Sequence, residues 1–242
     1  MLNTLPVIDA HAMLGEEAHL HLDAETLLRR MDAAEVTMAI ARPMGAGLVV
    51  DHAAGNALVL KAGPRIRGLV TANPWWGGKA LDAVARGRDD GAVGLFLDPT
   101  RQGFMPTESI AMPLFERAAE YGWPVLVRTG TYVCADLLAV AEVARRLPAT
   151  PFIAGFGGFA DMWFDLPGTF AAIPNLYVDT SMMIGDGIRA LVTAHGPSRI
   201  VFGSAEPRNR YAVCLRTLER LGLAEDARRA ILHDNAKRLF GL

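Results

Sequence analysis

Val7-Ile8-Asp9-Ala10-His11-Ala12-Met13 is a short apolar run that opens straight into a histidine. It has the length of a strand, and an unbroken apolar run suits a strand buried on both faces. The same kind of run recurs at 36–41, 66–71, 92–97, 125–127, 152–154, 176–178 and 200–202. Longer segments with helical spacing lie between these runs, at 24–35, 51–62, 78–88, 110–120, 135–146, 164–172 and 188–195, with a last pair at 211–221 and 224–239. In the first of them Leu27, Leu28, Met31 and Ala34 fall on one face, and Asp23 is placed to cap the helix start.

Short strands alternating with amphipathic helices imply parallel strands joined by crossovers. Eight such units in 242 residues predict a closed (β/α)8 TIM barrel, with one domain over residues 1–242 rather than a doubly wound sheet. The composition agrees, with 51% hydrophobic and 21% charged residues and no shift that would mark a second domain. A net charge of -2 gives no footprint for nucleic acid or an anionic membrane. Cys214 falls in an expected helix and Cys134 at the start of one, and both read as buried free thiols. No signal-like segment and no apolar span of membrane length occurs, so the expected location is cytoplasmic.

Barrel chemistry gathers where the strands end. The candidates are then His11, Arg42, Asn73, Asp98, Arg128, Gly155, Asp179 and Ala205, with Trp75-Trp76 placed to roof a flat substrate and Glu206 following Ala205. His19 and His21 sit in a polar stretch over 16–23 and read as a solvated loop. Gly155-Phe156-Gly157-Gly158 lacks the Gly-x-Gly-x-x-Gly spacing of a dinucleotide site, and no cofactor is expected.

These strand ends together resemble the amidohydrolase-related family of metal-dependent hydrolases. The resemblance runs from Ile8-Asp9-Ala10-His11 through Gly94-Leu95-Phe96-Leu97-Asp98-Pro99, Pro124-Val125-Leu126-Val127-Arg128-Thr129-Gly130 and Ile153-Ala154-Gly155-Phe156-Gly157-Gly158. It continues to Val201-Phe202-Gly203-Ser204-Ala205-Glu206-Pro207 and Asn235-Ala236-Lys237-Arg238-Leu239-Phe240. It implies a divalent cation held by two histidines after the first strand, one after the fifth, one after the sixth and an aspartate after the eighth. Those positions here hold His11, Met13, Arg128, Gly155 and Ala205, so four of five differ from the family's ligands.

A catalytic zinc needs about three protein ligands and an open position, and a thioether suits a hard cation poorly. Arg128 would add repulsion of about 4 kcal/mol per unit charge at about 4 Å. Metal-dependent hydrolysis is therefore not expected, and no metal ligands are assigned. One reading is a pseudoenzyme, a barrel used as a binding or scaffolding subunit, as a homodimer or paired with an active relative. The other is a metal-independent hydrolase or lyase for a small carboxylated substrate. There Arg128 would hold the anion and His11 would move protons, with Glu206 as a further catalytic candidate. Arg42, Asn73, Asp98, Asp179 and Trp75 would line the pocket.

Overall fold

The computed structural model describes residues 5–131, 133–159 and 164–242. Its strands are β1 (Val7–Glu17), β2 (Leu20–Leu22), β3 (Val36–Pro43), β4 (Ile66–Val70), β5 (Gly94–Leu97), β6 (Val125–Arg128), β7 (Phe152–Gly155), β8 (Leu176–Asp179) and β9 (Ile200–Val201). β1 and β3 through β9 pair in parallel, each with the next along the chain, while β2 folds back antiparallel on the end of β1. The helices are α1 (Ala24–Ala33), α2 (Ala46–Val49), α3 (His52–Leu60), α4 (Gly78–Asp89), α5 (Pro99–Gln102), α6 (Met112–Glu120) and α7 (Leu137–Arg146). They continue with α8 (Leu166–Ala172), α9 (Gly185–His195), α10 (Tyr211–Arg220), α11 (Glu225–Arg229) and α12 (Asn235–Phe240), the last two joined through a π-helical turn at Ala230–Asp234. The chain is a (β/α)8 TIM barrel, as the alternation predicts.

Two apolar layers follow from the period-two alternation of strand side chains. Ile8, Ile40, Leu69, Phe96, Leu126, Ile153 and Val201 fill the barrel together with Ala236 and Phe240 of α12. The opposite strand faces pack against the helices through residues such as Leu97, Val127, Val178 and Leu191. Asp23 caps α1 by accepting from Thr26 N at 2.7 Å.

β9 is short, and the ring closes through the segment that follows it. Ala10 N donates to Phe202 O at 2.7 Å, Ala205 N to His11 O at 2.7 Å and Met13 N to Glu206 O at 2.8 Å. Asp9 pins this seam by accepting from Ser204 N (2.9 Å), Ser204 Oγ (2.6 Å), Tyr211 OH (2.9 Å) and His11 N (3.0 Å). Burial raises the Asp9 carboxyl above its usual range even against these four bonds.

Two expectations change. The 16–23 stretch is a hairpin rather than a loop, with Glu16 paired to His21 and Glu17 to Leu20, because β1 runs past the barrel rim. Cys134 lies in a bend before α7 and is only partly buried, whereas Cys214 on α10 is buried; both are free thiols. No helix among the described residues is long and apolar enough to cross a membrane.

Candidate functional site

Alternation carries the inward side chains of the strands up to the carboxyl end of the barrel. Arg42 follows Ile40, Asp98 follows Phe96, Arg128 follows Leu126 and Asp179 follows Tyr177, each two residues on. His11 needs an extra device, since strict alternation would put it on the outer face with Asp9. A β-bulge supplies it: β1 pairs Asp9 with Ala39 but Ala12 with Ala41, so one residue is inserted around His11. Bulges of this kind re-aim side chains near barrel rims.

His11, Asp179 and Arg42 form one hydrogen-bonded chain. His11 Nδ1 meets Asp179 Oδ2 at 2.8 Å, and Arg42 Nε donates to His11 Nε2 at 3.1 Å. A guanidinium has donors only, so Nε2 is the acceptor and the imidazole proton sits on Nδ1, facing the carboxylate. Asp179 also accepts from Phe156 N at 3.1 Å, Ser181 N at 2.8 Å and the Ser181 hydroxyl. Burial alone would raise its carboxyl, but His11 and Ser181 hold the anion and bring it below the usual range.

Apolar rings enclose this chain above and below. The Arg42 guanidinium lies 4.2 Å from the centre of Phe96 in the barrel floor, a desolvated cation–π contact. From the other side the Phe156 ring sits 4.9 Å from the His11 ring, and 5.9 Å from both the Arg42 and the Arg128 guanidinium. Phe156 reaches this place with φ of +64°, a conformation that L residues other than glycine, Asn and Asp seldom adopt. His11 and Asp179 are 0% exposed and Arg42 is 3% exposed. Burial draws Arg42 down to about 9, against the opposing pull of Asp98 and Glu17.

Around the rim runs a line of alternating charges. Arg208 pairs with Glu17 at 3.2 Å, Glu17 with Arg101, Arg101 with Asp98 at 3.6 Å and Asp98 with Arg128 at 3.4 Å. Three cations share two carboxylates, which leaves a positive excess at the mouth. Arg101 and Glu17 carry no strand-end signal in the sequence and were not among the expected residues.

The other expected residues bond to groups outside this chain of three. Glu206 is 2% exposed and its carboxylate turns to Arg30 (2.6 Å), Arg210 (3.7 Å) and Tyr211 N (3.3 Å), so it is bound to α1 and α10 rather than to His11. Asn73 caps its own turn through Trp75 N at 3.1 Å. Trp75 is 62% exposed, with its indole N–H on Gly103 O at 2.8 Å, so it packs along the β5 loop. Arg128 is an ion-pair partner of Asp98, and the cation that meets His11 is Arg42. His52 makes a tilted ring contact with Trp76, after β4, with centroids 4.6 Å apart.

The family model of the amidohydrolases matches residues 17–242. This chain belongs to the amidohydrolase family. No curated protein matches it. Among solved structures, the chain is similar to an uncharacterised TIM-barrel protein from Bordetella bronchiseptica, at 18% identity and a TM-score of 0.77 over 98% of this chain and 99% of that one. It is similar to a probable 2-pyrone-4,6-dicarboxylic acid hydrolase from Acinetobacter baumannii with citric acid bound, at 13% identity and 0.76 over 98% and 99%. A 5-carboxyvanillate decarboxylase from Sphingomonas paucimobilis matches at 14% identity and 0.76 over 99% and 100%. At these identities the likeness concerns the fold.

The residues present do not fit the cation of the amidohydrolases. Among the described residues no group of three or more His, Cys, Asp or Glu is placed to hold a metal ion. His11, the one ligand type retained, has both ring nitrogens bonded. Met13 is fully buried in the outer apolar layer. Ala205 spends its backbone on the seam, and Gly155 offers no donor side chain.

Proposed function

We propose that this amidohydrolase-family barrel is a pseudoenzyme, in which a buried hydrogen-bonded plug stands where the metal centre would be. It acts as a binding or scaffolding subunit, as a homodimer or beside an active relative. The observation that carries this reading is the engagement of His11, whose two nitrogens are taken by Asp179 and Arg42 beneath the Phe156 ring. Arg42 gives Asp179 and His11 a fixed positive charge in place of a cation. Zinc or manganese added to the purified protein and then dialysed should leave far less than one equivalent by elemental analysis, and EDTA should leave the Tm unchanged. Stoichiometric retained metal would overturn the proposal.

A second reading rests on the positive excess at the rim. There Arg128, with a side chain 19% exposed and one carboxylate at 3.4 Å, holds the carboxylate of a small substrate for a metal-independent hydrolase or lyase. The decarboxylase and hydrolase among the similar structures act on carboxylated molecules, which supports that substrate class. Under this reading Arg128→Met abolishes binding of a carboxylated aromatic such as benzoate in a calorimetric titration. Under the first, wild type shows no such binding, and the substitution changes stability by about 1 kcal/mol or less, the range of a partly exposed pair.

A further inference from the structure

A second opening lies beside the filled mouth, on the other side of the β7 turn. Phe156 faces His11, while its neighbour Gly157 faces a cavity of about 270 Å³ walled by Phe159, Leu166, Pro167, Met183, Ala190 and Leu191. Gly157 has φ of +58°, and a Cβ there would come within 2.2 Å of Met183 Cγ. Only glycine therefore lets the turn lie against this wall.

The structure assigns to this cavity the binding of a small, uncharged, apolar molecule of the size of one or two fused aromatic rings. The described residues around it carry no charged side chain, so a carboxylate or ammonium would be desolvated there without a partner among them. The volume falls just below the range of ordinary ligand sites, about 300–1,000 Å³, which suits a molecule of one or two rings. Met182 and Met183 supply unbranched, polarisable side chains that adapt to aromatic faces, and Phe159 supplies a ring. The cavity includes neither His11 nor Arg128, so this proposal stands or falls apart from the reading of the barrel mouth.

Indole, as an uncharged probe, and benzoate, as a charged ring of similar size, separate the alternatives when titrated into the full chain. Indole at about ten times its Kd should raise the Tm by about 3 °C, and benzoate should not raise the Tm of Arg128→Met, in which the rim cation is absent. Gly187 lines the same cavity on α9, and a Cβ there would make ordinary contacts at 3.6 Å to Ile184 Cγ1 and 3.7 Å to Met183 Cε. Gly187→Leu thus builds into the space without forcing the backbone, and replacing a helical glycine favours the fold. It should weaken indole binding at least tenfold while keeping a native Tm. Ala190→Phe, from the next turn of α9, fills the same space and gives an independent second variant. Absence of an indole shift, indole binding that survives both substitutions, or benzoate binding that either substitution weakens would each overturn the assignment.

Discussion

Asp179→Ala should cost the fold about 3–5 kcal/mol, the loss typical when one partner of a buried charged pair is removed. The substitution takes away four hydrogen bonds at once. His11 Nδ1, Phe156 N, Ser181 N and the Ser181 hydroxyl all lose their acceptor in the barrel interior, and buried orphan donors cost about 1–3 kcal/mol each. For a chain of this size the drop corresponds to a fall in Tm of about 10 °C. Asp179→Asn keeps one acceptor oxygen and should fall between. The pH dependence has a defined sign. The Asp179 carboxyl is lowered from 3.8 on folding, so it stabilises the protein above that value, and the contribution is lost as pH falls through the lower folded-state value. The alanine variant should therefore show a shallower acid limb in urea denaturation. A loss below about 1 kcal/mol would show that the plug is not what holds the mouth together.

Phe156 gives the second large effect. Phe156→Ala should destabilise by about 3–5 kcal/mol through the lost ring, which packs on His11 and faces two guanidinium groups. Phe156→Gly removes the same ring, yet should be the more stable of the two by up to about 1 kcal/mol, because glycine adopts φ of +64° without strain. Both should open His11 to labelling by diethylpyrocarbonate, read by mass spectrometry, while wild type stays protected. An alanine variant more stable than the glycine one would contradict the strain argument. An unlabelled His11 in both would mean that another group covers it.

The barrel was legible because its strands are continuous apolar runs, and because alternation alone carries Arg42, Asp98, Arg128 and Asp179 to one end. Which of them pair is a matter of contacts across the ring, 168 residues apart for His11 and Asp179, and no local pattern encodes that. Arg128 was the strand-end cation that the sequence singled out, yet the guanidinium that bonds His11 is that of Arg42. Phe156 was hidden inside a glycine-rich turn, because a positive φ on a phenylalanine leaves no mark in the sequence. Asn73, Trp75 and Glu206 looked like site residues from position alone. Each had a nearer partner: a turn amide, a loop carbonyl and the Arg30 guanidinium.

The seam at Asp9 also bears on how the molecule can be made. Its partners Ser204 and Tyr211 are separated from it by 195 and 202 residues. On a ribosome the earlier strands emerge first and can stack only as an open sheet with two unpaired borders. The ring is completed only after the segment through Tyr211 has been synthesised, so the first strand waits longest for its second neighbour. Such distant pairings slow folding and leave strand edges open to other chains in the interval.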